Sequence, residues 1–99
     1  MFLTKDKIYV NEIAPRPHNS FHWTIEGCKN SQFDIVVKSI MGQDINDQTV
    51  GENWKMINLL GDEVENLKFF NFHKDQKIHV YGKKEAKNGR KMGHITYPS

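Results

Sequence analysis

The sequence predicts an α+β chain whose strands are mostly antiparallel. Short apolar runs recur between charged or glycine-bearing turns, at residues 2–4, 8–14, 54–61, 77–81 and 90–97. Only residues 31–42 combine helical periodicity with a start and a stop signal. The chain has 99 residues, 37% hydrophobic and 26% charged, enough for one modest core.

Residues 2–4 and 8–14 read as two strands joined at Lys5-Asp6-Lys7. In the second, Ile8, Val10, Glu12 and Ala14 share a face because strand side chains alternate. An acid ending an apolar face is either solvated past the core edge or a ligand to something. Pro15 and Pro17 end the strand and present Arg16 and His18 on a stiff extended segment. Such stiffness suits a binding site and a strand-exit loop equally.

In "SQFDIVVKSIMG" Ser31 is a good N-cap, Asp34 completes a capping-box-like pair and Gly42 is a natural stop. Phe33, Val36, Val37 and Ile40 lie on one side, so the helix is expected to pack on the sheet and to carry no chemistry. Residues 43–53 lack a period and read as a loop. "WKMINLLG" reads as a buried strand ending at Gly61, "DEVENL" as a helical turn capped by Asp62, and "KIHVY" as a short strand. "GKKEAKNG" is a loop bracketed by Gly82 and Gly89, and "RKMGHITY" a last strand with a glycine where another backbone approaches closely.

Fourteen Lys and Arg against twelve Asp and Glu give +2, too slight a bias for a nucleic-acid binder. The single cysteine, Cys28, rules out an internal disulfide and points to a reducing compartment, the cytoplasm. No apolar run approaches a membrane span, and "MFLTKDK" is not a secretory leader.

Chemistry concentrates in "VNEIAPRPHNSFHWT", residues 10–24. His18 and His22 have a zinc-like interval, but it puts two ligands on one face only in a helix, which the prolines oppose. Cys28 beside a helix start reads as a buried thiol rather than a nucleophile. Lys83, Lys84, Lys87, Arg90 and Lys91 form a basic cluster, either solvated or wrapped around a phosphate. The P-loop pattern is missing, and aromatic residues do not interleave as single-strand binding requires.

The blocks "NEIAPRPHNSFHWTIEGC", "SQF", "MINLLG", "YGK" and "GRKMGHIT", in that order, resemble the 5-(carboxyamino)imidazole ribonucleotide synthetases, ATP-grasp enzymes of purine biosynthesis. The resemblance runs over nearly the whole chain. It implies the C-terminal end of an ATP-grasp domain over residues 1–45, a strand pair and one helix. Residues 46–99 would form a small β domain of the rudimentary barrel-sandwich hybrid type, incomplete at its end. It implies an ATP-dependent carbon–nitrogen ligase that makes carboxyphosphate from ATP and bicarbonate and carboxylates 5-aminoimidazole ribonucleotide, with magnesium on the phosphates.

The resemblance also implies roles. Glu12 matches a magnesium-binding carboxylate, with Asn11 as a partner. Arg16, His18 and Asn19 match the stretch around bicarbonate and carboxyphosphate, His18 serving as a base kept neutral by nearby Arg16. Lys83, Arg90 and Lys91 match positions that hold the ribonucleotide phosphate. Phe21 stands where the family usually has glycine, and Lys87-Asn88 where it often has Arg-Pro. The family's enzymes are several times longer, and the resemblance places their other magnesium carboxylate just before Met1 and a helix after "GHIT". Hence the chain alone is expected to be inactive and to bind neither magnesium nor ATP. It reads as half an active site, as one subunit of a split enzyme, or as a non-catalytic anion-binding module. Its expected partners are a missing N-terminal portion or a second copy, with no nucleic acid and no membrane.

Overall fold

The computed structural model describes residues 1–99 except 47, 49, 52 and 70–72. A two-stranded antiparallel ladder opens the chain, β1 (Phe2–Leu3) against β2 (Ile8–Tyr9), with Phe2 opposite Tyr9. The turn closes where the Thr4 N–H donates to the Lys7 carbonyl at 2.9 Å. β2 is shorter than the expected 8–14 because β1 offers only Phe2 and Leu3 as partners. Past Tyr9 the chain runs on without a ladder, and Ile8, Val10 and Ile13 are exposed.

Residues 19–21 then form a 3₁₀ turn, followed by a single-turn helix α1 (Thr24–Gly27) and by α2 (Gln32–Ile40). The capping box of α2 is complete: the Asp34 N–H donates to Ser31 Oγ, and the Ser31 N–H donates to Asp34 Oδ2 at 2.8 Å. These bonds hold the exposed Asp34 carboxyl below its ordinary pKa, since they favour the ionised form. Gly42, with φ 65°, ends the helix as its sequence position predicts.

The expectation that α2 packs on the sheet fails. None of its residues is buried, and Val37 and Ile40 are exposed. Periodicity shows that a face is apolar; it does not say what covers it. Contacts of α2 run instead through Gln32 and Phe33 in its first turn and through Lys38, which donates to Asn30 Oδ1 at 2.6 Å.

The second half is a three-stranded antiparallel sheet in the order β3 (Trp54–Leu60), β5 (Lys91–Pro98), β4 (Lys77–Val80). Residues 61–69 form a 3₁₀ stretch, longer than the single turn expected there. β3 is not the buried strand expected: its exposure alternates, and only Leu59 is fully buried, because β3 is an edge strand. The central strand β5 is buried continuously over Met92–Thr96, and with Leu59 it supplies the apolar core, Met92 and Ile95. Gly93 confirms the expected close approach. It pairs with Val80, and a Cβ there would collide with the carbonyl oxygen of His79. Gly82 and Gly89 adopt φ of 63° and 73°, which lets the basic loop turn at both ends.

The halves are joined by backbone and side chains. Cys28 bridges to Val50, and the Gly51 N–H donates to the Gly27 carbonyl at 3.1 Å. Glu26 of α1 reaches the sheet with both oxygens: Thr96 Oγ1 donates to Oε2 at 2.8 Å, and His79 Nε2 lies 2.5 Å from Oε1.

Candidate functional site

The extended run after β2 folds back toward α2 and encloses a cavity of about 440 Å³. Asn11, Glu12, Arg16 and His18 line it, together with Ser20 and Gln32. Four of the sequence-derived site residues therefore converge, and the Glu12 side chain among them is half-exposed. Phe21 forms part of the wall, so the side chain that replaces the expected glycine borders the site.

His18 is extended, with φ −124° and ψ 142°, as expected from the sequence. Its ring lies between two partners: Nε2 is 2.9 Å from Glu12 Oε1, and Nδ1 is 2.8 Å from Ser20 Oγ. The Ser20 N–H, which can only donate, also points at Nδ1 from 3.3 Å. In the neutral ring the proton then sits on Nε2, facing the carboxylate. The expected Arg16–His18 contact is not made. Arg16 Nη1 donates to the Pro17 carbonyl at 3.0 Å, and the charged neighbour of the imidazole is Glu12.

Asn19 does not line the cavity; its side chain bonds to the Tyr81 hydroxyl. Burial pushes the Tyr81 phenol up, and the Asn19 bond partly opposes that shift. Lys83, Arg90 and Lys91 lie apart from the cavity, in and just after the loop between β4 and β5. Lys83 Nζ donates to the Lys91 carbonyl at 2.7 Å and sits 5.5 Å from the Tyr81 ring centroid. Arg90 Nη1 donates to the Glu85 carbonyl at 3.3 Å.

A cluster of rings lies between these two groups. His22 stands 5.3 Å from His94 and 6.0 Å from Tyr81, centroid to centroid, and His79 stacks on His94 at 4.6 Å. Tyr81 Oη and His94 Nδ1 are 2.7 Å apart, while His94 Nε2 is buried with no hydrogen-bond partner among the described residues. Burial, reinforced by His79 and His22, lowers the His94 pKa to about 4, and burial first lowers that of His22 as well.

Glu26, Gln32, His79, Tyr81 and His94 were not singled out in the sequence as site residues. For His79 and His94 the available signal was a histidine on a strand, opposite another histidine once the register is known. Gln32 had only its place after the N-cap. Among the described residues no group of three or more His, Cys, Asp or Glu could hold a metal ion. Cys28 is half-buried rather than buried as expected, and desolvation pushes its thiol up.

For magnesium, Glu12 and Asn11 offer hard oxygens in one cavity, the right donor type. They supply one carboxylate and so fit one side of such a site.

The family described as ATP-grasp domain matches residues 1–33, and the Phosphoribosylaminoimidazole carboxylase C-terminal domain matches residues 55–99. N5-carboxyaminoimidazole ribonucleotide synthase of Bacillus subtilis is 46% identical over 99 residues, 98% of this chain and 26% of that protein. This chain is therefore similar to about a quarter of that synthase, and its second half to a C-terminal domain of that family. The synthase of Staphylococcus epidermidis is 50% identical over 96% of the chain.

The crystal structure of the Staphylococcus aureus synthetase complexed with ADP superposes with TM-score 0.83 at 45% identity, covering 94% of this chain and 26% of that one. The Aspergillus clavatus synthase, in complex with ADP and 5-aminoimidazole ribonucleotide, superposes with TM-score 0.76 at 37% identity, over 85% of this chain and 24% of that one. The chain thus spans about a quarter of the length of its synthase relatives. Among the described residues no helix is long and apolar enough to cross a membrane.

Proposed function

We propose that this chain forms one wall of the active site of an ATP-dependent ligase that carboxylates 5-aminoimidazole ribonucleotide with bicarbonate through carboxyphosphate. The observation that carries this reading is the convergence of Glu12, Arg16 and His18 on one open cavity. The ADP and ribonucleotide named for the Aspergillus clavatus neighbour support the substrate class. Arg16, exposed at the cavity, binds the planar oxyanion of bicarbonate by paired hydrogen bonds. Magnesium, held on this side by Glu12 and Asn11, would offset phosphate charge.

His18 handles a proton at Nε2, the ring atom on the cavity side. Accepting a proton at Nε2 requires the tautomer with the hydrogen on Nδ1, whose N–H can donate a hydrogen bond to Ser20 Oγ. Asn19 acts through Tyr81, at the border with the basic loop, and Lys83, Arg90 and Lys91 take the ribonucleotide phosphate. Residues 1–45 belong to the ATP-grasp unit and 46–99 to the small β domain, and the assembly works in the cytoplasm.

The cavity offers one carboxylate to a metal, so activity is expected to need the rest of such a synthase. The test is reconstitution with a chain carrying the remaining three-quarters of a synthase. Consumption of 5-aminoimidazole ribonucleotide, dependent on ATP and bicarbonate, should appear only with both pieces. It should be lost with Glu12→Gln and cut sharply with His18→Asn. Turnover that survives both substitutions would refute the assignment.

A non-catalytic anion-binding module is the second reading, favoured by the separation of the basic loop from the cavity. Selective calorimetric binding of the ribonucleotide by this chain, with reconstitution failing, would favour it.

A further inference from the structure

Gln32, the first residue of α2, makes more contacts to the histidine segment than any cavity residue needs for packing. Its Oε1 accepts from the His18 N–H at 2.8 Å, and its Nε2 donates to the His18 carbonyl at 3.0 Å. The carboxamide therefore pairs with the His18 peptide as a neighbouring strand would. Nε2 also lies 2.7 Å from Nδ1 of His22. The backbone of Gln32 is itself fixed: its N–H donates to Thr24 Oγ1 at 3.0 Å, and the capping box of Ser31 and Asp34 orients the helix start.

The orientation of this carboxamide follows from its partners. A peptide N–H can only donate and a peptide carbonyl can only accept, so the oxygen must face the His18 N–H and the NH₂ group its carbonyl. The same NH₂ group is then the atom presented to His22. An NH₂ group can only donate, so Nδ1 of His22 must accept.

We infer that Gln32 is a positioning residue that sets the backbone of His18 and selects the His22 tautomer whose Nδ1 bears no proton. One side chain thereby couples the cavity imidazole to the ring cluster that borders the basic loop. The His22 ring stacks on Phe33 and neighbours Tyr81 and His94; His79, Lys91 and His18 act on it electrostatically, and Glu26 faces the cluster through His79. None of the cations in that set favours a second proton on the ring. The inference deepens the proposed function, because it explains how His18 is held, but its readout requires no catalysis.

The test is nitrogen-15 and carbon-13 NMR of the imidazoles in the 99-residue chain, with titration. In the unmodified protein the neutral His22 ring should show Nδ1 unprotonated and Nε2 protonated, with a midpoint below the ordinary 6.5. Gln32→Glu keeps the shape and replaces the donor by an acceptor. It should draw a proton onto Nδ1 and raise the His22 midpoint by about one unit, a tenfold change in the protonation constant. Gln32→Met removes both polar atoms and should leave mixed tautomers, a smaller midpoint change and faster exchange of the His18 amide proton.

A proton on Nδ1 in the unmodified protein would overturn the inference, and that measurement stands even if a variant does not fold. Equal midpoints in the Glu and Met variants would also overturn it. Ribonucleotide binding by the unmodified chain is scored separately, so loss of the ligase reading and loss of this one give different results.

Discussion

Acidification should destabilise this fold through one buried imidazole. His94 is 1% exposed, one of its ring nitrogens has no hydrogen-bond partner among the described residues, and His22 and His79 flank it. Tyr81 and Glu26 are the other titratable groups near it. Its pKa falls from 6.5 when unfolded to about 4 when folded. Between those values the unfolded chain binds the extra proton and the native chain does not, so native stability drops as pH falls. Its contribution is fully present above pH 6.5 and is lost progressively toward 4. Linkage gives a loss of about 2 kcal/mol at pH 5 and about 3 kcal/mol at pH 4. His22, also shifted downward, adds a loss of the same sign.

The assay is urea unfolding between pH 7.5 and 4.5, with extrapolated free energies compared for the unmodified chain and His94→Gln. Glutamine keeps a polar partner for the Tyr81 hydroxyl and does not titrate. The unmodified chain should lose stability steeply below pH 6.5 and the variant only weakly. Parallel curves, or a flat curve for the unmodified chain down to pH 4.5, would refute the claim that burial keeps this ring neutral.

Three further outcomes follow from the same coordinates. Ser31→Ala removes the capping box of α2 and should cost about 1 kcal/mol, read as a lower urea midpoint and weaker helical circular dichroism. Gly93→Ala puts a methyl into the carbonyl of His79, both on strands of one sheet, and should destabilise by about 1–3 kcal/mol, seen as a lower melting temperature. Lys83→Ala combined with Arg90→Ala in the reconstituted enzyme should weaken the ribonucleotide by at least tenfold and leave ATP affinity unchanged, since each charged hydrogen bond contributes about 1.5–3 kcal/mol. Calorimetry showing unchanged ribonucleotide affinity would remove the phosphate role of this loop.

The parts of this molecule that were legible in the sequence are local in the chain. Ser31 and Asp34 are three residues apart, and their box forms as read. Asn11, Glu12, Arg16 and His18 fall within one proline-stiffened stretch, so their convergence needed no knowledge of the fold. Gly93 could be read because a glycine inside a strand has few reasons to be there. The Glu26 contacts were not legible: they span 53 residues to His79 and 70 to Thr96, and no local pattern announces them. The neighbour of His18 was misassigned for a related reason. Arg16 is nearer in sequence, but the extended backbone carries its guanidinium to the Pro17 carbonyl and brings Glu12 to the imidazole.

These long-range polar contacts also account for how the two halves sit together. An apolar interface would tolerate sliding, since burial of surface has no preferred direction. Glu26 has two oxygens at fixed spacing, one engaged by Thr96 on β5 and the other by His79 on β4, so α1 has a single register against the sheet. His22 follows α1 into contact with His94, and Gln32 ties His22 to His18 at the cavity. The basic loop leaves β4 after Val80, one residue past His79, and enters β5 three residues before His94. Its distance from the cavity is thereby set by hydrogen bonds rather than by packing alone. A buried polar cluster with one nitrogen unpartnered among the described residues costs stability. In return it holds the His18 wall and the Lys83–Arg90 loop at one separation, which under the proposed function would match a ligand with an amine at one end and a phosphate at the other.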